Sequence, residues 1–285
     1  MPQNISRNQS QELAEKRNRK PSLSLAEHPK PHVLTLDTRP LSREAESLDI
    51  DSLPQSIAES GQCVPDYFPE IFKFMRSKDD SPIGNYCEKT INVDKNSRGE
   101  VINWIIDVHY RFKLLPQTLY FIIHFMDKYL SQRNVQKSKL KLVAISCLYI
   151  ASKYEETYRV PQLKDLLNLC NYAYTKRDIL ETEADIVKIL NFNLVFDPSF
   201  RFLQALEVFS GMNKKNFHLA QYLLELALTQ SEFLEYSQSL VACSAFYLVC
   251  KIRKLEIEWD DMYLNLTRYK QTDLHKCARE LCNLL

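Results

Sequence analysis

The sequence predicts an all-α protein built from two tandem helical repeats, and three observations lead to that class. Glycine is scarce, with only 4 in 285 residues, at positions 61, 84, 99 and 211. Folds rich in β-strands need glycine in their turns; here no period-2 run of useful length appears, and apolar residues recur at helical spacing. Shifting the chain by 98 residues lays 142–153 on 240–251, with six of twelve positions identical and the apolar pattern kept. The same shift puts Trp104 on Phe202 and the stretch 118–132 on 216–230. Three helices at one offset make a repeat rather than a coincidence.

Each element then follows in order. Residues 1–66 hold 7 of the 12 prolines and no Phe, Trp or Tyr. Such a segment buries too little apolar surface to offset chain entropy, so a disordered tail is expected over 1–60. All 31 aromatic residues lie from Tyr67 onward. Leu119, Ile122, Ile123, Met126 and Leu130 give one apolar face to a helix over 118–132. Leu140, Val143, Ala144, Cys147, Leu148 and Ala151 do the same, and the residues between them are also apolar, which marks a central, buried helix. Thr175 is a candidate N-cap, with Asp178 at the third helical position to complete a capping box. Asp197-Pro198 reads as a cap followed by a first-turn proline. The repeat boundaries fall at 97–195 and 196–285.

Composition excludes several classes of function. Lys and Arg total 37 against 36 Asp and Glu. The first 66 residues hold 8 and 10 of these, which leaves 29 basic and 26 acidic in the body, a net +3. No sustained basic field for nucleic acid or a membrane surface exists. No two glycines are close enough for a phosphate-binding loop or a dinucleotide fingerprint. The 8 cysteines form no C-x-x-C pair, and several lie in apolar helical runs. Reduced, buried thiols of an intracellular protein are expected, without disulfides or zinc. The N-terminus is polar, so no signal peptide is read. The uncharged run 142–152 is 11 residues long between lysines, too short to span a bilayer. The six histidines show no metal-ligand spacing and no nucleophile pair is evident. Neither enzymatic activity, nor a metal, nor a cofactor is expected.

The local words are more specific. Ser97-Arg98-Gly99-Glu100-Val101-Ile102-Asn103-Trp104-Ile105-Ile106-Asp107-Val108 resembles the first-helix signature of mitotic (A/B-type) cyclins, M-R-x-I-L-x-D-W-L-x-E-V. The stretch 119–130 is similar to their second helix. Residues 139–143 and Ala151-Ser152-Lys153-Tyr154-Glu155-Glu156 resemble the third helix with its trailing K-[FY]-E-E; Tyr174-Thr175-Lys176, Glu183 and 190–194 resemble the fifth. Val64-Pro65-Asp66-Tyr67 with Ile71 is similar to the helix preceding the box, in a form that leans to the A type. The resemblance implies two tandem five-helix cyclin boxes preceded by a short N-terminal helix, with 61–96 as that helix and its linker.

It also implies a function: a non-catalytic subunit that binds and activates a cyclin-dependent kinase of PSTAIRE type in cell-cycle control, in nucleus and cytoplasm. Lys153 and Glu183 match the family's paired charges beside the kinase's mobile regulatory helix. Ile150, Tyr154, Val187, Phe192 and Leu194 match the apolar part of that surface; Tyr67, Ile71 and Phe74 match a second patch. Taken alone, Lys153 reads better as a solvated helix-end lysine favouring the dipole, the role assigned to Lys251; only the shared context of the surrounding words lifts the pair. A substrate-docking patch for R-x-L motifs is implied at Val101, Trp104, Asp107 and Leu140. Ser97, Glu100 and Lys141 replace its usual Met, Ile and Gln, so R-x-L docking is expected to be weak or altered. No R-x-x-L or KEN signal occurs in 1–66. The basic cluster 16–20 reads as an import signal or a solvated stretch. Two rival readings stay open: a cyclin-fold scaffold that does not activate a kinase, and a TFIIB-like factor that binds DNA.

Overall fold

The computed structural model describes residues 67–79, 81–90 and 92–285. The expected tail, its basic cluster and 64–66 lie outside the described residues. α1 (Phe68–Ser77) comes first, followed by a 3₁₀ turn (Tyr86–Glu88). The first repeat is α2 (Lys95–Phe112), α3 (Pro116–Gln132), α4 (Leu140–Glu155), α5 (Leu163–Leu169) and α6 (Lys176–Ile189). The second is α7 (Ser199–Ser210), α8 (Lys214–Thr229), α9 (Gln238–Ile252), α10 (Asp261–Thr267) and α11 (Gln271–Cys282). No strand occurs among the described residues, and each repeat has five helices.

The repeat is geometric as well as sequential. α3 and α8, α4 and α9, and α5 and α10 start 98 residues apart, whereas α6 and α11 start 95 apart. α4 and α9 are the central helices, and small residues let their neighbours approach from every side. Ala144, Ile145, Cys147 and Leu148 are fully buried, as are Ala242, Cys243, Ala245 and Phe246. Both central helices use a buried serine in the same way. Ser146 Oγ donates to the Ile179 carbonyl on α6 at 3.4 Å, and Ser244 Oγ donates to the Leu274 carbonyl on α11 at 3.5 Å. α3 is buried on more sides than its single apolar stripe suggested, because α4, α6 and α7 all pack on it.

Two boundaries show how local chemistry sets helix ends. Thr175 and Asp178 form the expected capping box: Thr175 Oγ1 accepts from the Asp178 N–H at 3.2 Å, and Asp178 accepts from the Thr175 N–H at 2.7 Å. The expected start of α7 is displaced by one residue. Pro198, not Asp197, is the N-cap, and the Asp197 carboxylate instead faces Arg201 at 3.6 Å. Proline's fixed φ suits either position, so the sequence pattern leaves this register open.

Arg98 (α2) is the largest fully buried charged residue. Its guanidinium makes a two-pronged pair with Asp127 on α3, Nε to Oδ1 and Nη2 to Oδ2, both at 2.8 Å. The Tyr86 hydroxyl donates to the same carboxylate at 2.7 Å. This triad ties the segment before α2 into the first repeat.

The described residues belong to one compact unit, and α1 is seated on the second repeat rather than the first. Phe68 stacks on Phe209 (6.1 Å between centroids) and Phe72 meets Phe202 edge-on (5.8 Å). Arg76 Nη1 donates to Ser239 Oγ (2.6 Å) and Tyr269 Oη (2.5 Å), and its guanidinium lies 4.4 Å from the Tyr269 ring centroid. Further on, the Gly84 N–H donates to the Leu234 carbonyl at 3.0 Å. The repeats meet along α3 and α7, where Tyr120 stacks on Phe200 (5.9 Å) and His124 on Phe196 (3.6 Å).

Candidate partner-binding site

α4 ends at Glu155 and α6 runs beside it, so the last turn of one helix faces the middle of the other. Lys153 and Glu183 meet there as an ion pair, the lysine 41% exposed and the glutamate 16%. The Lys153 ammonium also lies 4.1 Å from the centroid of the Tyr149 ring, one turn back on α4. The pair is thus formed within the free chain, between a half-exposed cation and a more deeply set carboxylate. Such a pair offers donors and acceptors to an incoming backbone.

The end of α4 is held in place by the two acidic residues that follow Lys153. Glu156 is buried, and its Oε1 accepts from the Leu115 N–H (2.6 Å) and from Thr118 Oγ1 (2.7 Å) at the start of α3. Glu155 accepts from Gln117 Nε2 at 2.6 Å and faces Arg201 of α7 at 3.6 Å. These roles were not legible in the sequence: the K-[FY]-E-E word marks the residues but names no partners for them.

The apolar residues expected around the pair divide by exposure. Tyr154 is exposed and packs its ring against Phe121 (5.3 Å between centroids). Phe192 is 74% exposed, on a turn where both Asn191 (φ 52°) and Phe192 (φ 57°) are left-handed. Non-glycine residues rarely adopt that conformation, and holding a large ring out on it costs stability. Val187 and Leu194 are half-buried beside them. Ile150 is buried and supports the surface from beneath instead of forming part of it. Val195 (62% exposed), together with Tyr158 and Val160 beyond the end of α4, are exposed apolar residues that the sequence reading did not single out. Their only signal is adjacency to the matched words.

Tyr67, the N-cap of α1, and Ile71 and Phe74 within it are all exposed, while Phe68, Phe72 and Met75 are buried. The 3–4 residue spacing of each set explains the division: one stripe docks on the second repeat and the other is left facing solvent.

The expected docking patch is differently made. Val101 and Leu140 are interior residues. Ser97 is buried, and its N–H donates to the Asp94 N-cap at 2.8 Å. Trp104 is half-buried beneath Lys141, whose ammonium lies 5.2 Å from the indole centroid. Glu100 and Asp107 are exposed.

Among the described residues no group of His, Cys, Asp and Glu is arranged to hold a metal ion, and no helix is long and apolar enough to cross a membrane. Burial raises the thiols of Cys250 and Cys277 to about 12 and those of Cys147 and Cys243 further still, which keeps them protonated and unreactive.

Comparison with known proteins gives a concordant picture. The family "Cyclin, N-terminal domain" matches residues 70–195, and "Cyclin, C-terminal domain" matches 199–285. The chain is 29% identical to the G2/mitotic-specific cyclin-B of Dictyostelium discoideum over 252 residues, which cover 86% of this chain and 58% of that protein. It is 32% identical to cyclin-B2-2 of Oryza sativa subsp. indica over 241 residues, covering 83% and 56%. It therefore spans a little under three fifths of the length of these two relatives, whose names are of the B type rather than the A type toward which 64–67 lean. A viral cyclin from herpesvirus saimiri shares the fold, with a TM-score of 0.65 at 16% identity over 76% of this chain and 95% of that one. With both halves of the fold matched in order and the five-helix repeats in place, this chain is a member of the cyclin family.

Proposed function

We propose that the chain is a non-catalytic regulatory subunit that binds and activates a PSTAIRE-type cyclin-dependent kinase. The observation that carries this reading is the exposed pairing of Lys153 and Glu183, 30 residues apart, beside solvent-facing Tyr154 and Phe192. The left-handed turn at Asn191 and Phe192 caps α6, with the Phe192 N–H donating to the Val187 carbonyl at 3.0 Å, and it leaves a large apolar ring in solvent that a partner surface would cover. Lys153 and Glu183 would bond main-chain groups flanking the kinase's regulatory helix, while Tyr154, Val187, Phe192 and Leu194 fill the apolar part of the contact over Ile150. Tyr67, Ile71 and Phe74 would add a second patch, carried on the second repeat. Holding the regulatory helix inward completes the kinase's Lys–Glu ion pair and orders its activation loop.

The test is co-purification of the full chain with such a kinase, followed by a histone phosphorylation assay. Wild type is expected to bind and activate. Lys153→Ala/Glu183→Ala is expected to lose both, since removing desolvated charged contacts costs about 2–5 kcal/mol. Binding without activation would replace this reading with that of a scaffold. Failure of the folded chain to bind, together with salt-dependent DNA binding, would favour a nucleic-acid role instead.

A further inference from the structure

The two repeats end their central helices with the same pair of residues one turn apart, Tyr149 with Lys153 and Tyr247 with Lys251. In both, the ammonium lies over the ring, at 4.1 Å in the first repeat and 5.3 Å in the second. Their surroundings differ. The Tyr247 ring is half-buried like that of Tyr149, but its contacts lie within its own repeat: its hydroxyl accepts from Gln271 Nε2 at 2.7 Å, and Trp259 meets it edge-on at 6.2 Å. Lys251 has no carboxylate among the described ion pairs, and Ala278 stands on α11 where Glu183 stands on α6, 95 residues earlier. In the first repeat, α6 supplies Glu183 instead. The Lys153 ammonium is therefore held between a ring on its own helix and a carboxylate on α6, over the half-buried ring of Tyr149.

We propose that Tyr149 is a positioning residue for partner binding: its ring seats the Lys153 ammonium so that lysine and Glu183 present one fixed donor–acceptor pair. The inference rests on the kinase-binding reading above and adds a residue to its site. A lysine on four rotatable bonds loses side-chain entropy when a partner fixes it. A ring that already holds the cation removes part of that loss before binding. The second repeat keeps the ring–cation contact without the carboxylate, so the contact is a local property of the Tyr–Lys pair; only the first repeat couples it to a charged partner.

The experiment measures dissociation constants and dissociation rates of the full chain with a PSTAIRE-type kinase, for wild type, Tyr149→Phe, Tyr149→Leu, Lys153→Ala and Tyr149→Leu/Lys153→Ala. It also measures the ¹H shifts of the Lys153 ε-methylene in the free chain, which the ring current moves upfield. Tyr149→Phe is expected to keep wild-type affinity and the upfield shift. Tyr149→Leu is expected to lose the shift and to weaken binding by about two- to fivefold. In the Lys153→Ala background the second substitution is expected to add nothing. Equal binding by Tyr149→Leu and wild type would overturn the proposal. So would a loss that persists in the Lys153→Ala background, which would make Tyr149 a direct contact. If the wild-type chain binds no kinase while the upfield shift is present, the kinase reading fails and this role with it, although the ring contact stands. An absent shift alongside normal kinase binding would sink the positioning role alone.

Discussion

Arg98 shows what a single residue can cost. Its guanidinium is buried and paired with Asp127 through two hydrogen bonds, so truncating one partner strands the other's charge in the core. Arg98→Ala and Asp127→Ala are each expected to destabilise the chain by about 3–5 kcal/mol in denaturant unfolding. A loss below 1 kcal/mol would mean that the pair is solvated. His124 and His109 carry the acid response. Burial holds both below the ordinary histidine range, and nearby Lys128 adds to the effect at His124. The unfolded chain therefore takes up these protons first. Stability is full above pH about 6.5 and falls as pH drops below it, by up to about 1.4 kcal/mol per pH unit for each histidine. Melting temperatures taken across pH 5–8 should show that slope, reduced in His124→Gln; a flat profile would contradict it. Lys141 makes a third residue-level case. Because it covers Trp104 and would repel the arginine of an incoming R-x-L motif, wild type should bind R-x-L peptides weakly, and Lys141→Gln should tighten them several-fold by fluorescence polarisation. These details differ in how far they were legible. The charge of Lys141 stands in the sequence, whereas the Arg98–Asp127 pair joins residues 29 apart with no local pattern between them.

At the scale of elements, what is local was legible and what is long-range was not. The α4 and α9 helices could be read from apolar runs, and the start of α6 from Thr175 and Asp178, because each signal lies within one or two turns of chain. Removing that cap in Thr175→Ala should cost about 1 kcal/mol, and hydrogen exchange should localise the added fraying to the first turn of α6. The seat of α1 was invisible, because Arg76 reaches Ser239 and Tyr269 across more than 160 residues. Arg76→Ala is expected to raise amide exchange over 68–77 while leaving α4 and α9 protected. Unchanged exchange on α1 would show that the Phe68 and Phe72 contacts suffice to hold it. The Lys153–Glu183 pair falls between these cases. Nothing in the spacing of two charges 30 residues apart brings them together; only the resemblance of the surrounding words singled them out.

For the whole molecule, two copies of one five-helix design have been put to different uses. The second copy ties Tyr247 to Gln271 and Trp259 and carries α1; the first adds Glu183 to the equivalent Tyr–Lys pair and sets exposed Tyr154 and Phe192 beside it. The proposed partner surface is thus composite, with the α4–α6 face on the first repeat and the α1 stripe carried by the second, and the seam along α3 and α7 joins the two repeats that carry them. The measurement that tests this most directly is hydrogen exchange of the full chain with and without a PSTAIRE-type kinase. Added protection is expected over 67–75, 150–158 and 183–194 together, with none over 247–260. Protection confined to the second repeat around Lys251, or none in the first repeat at saturating kinase, would contradict it.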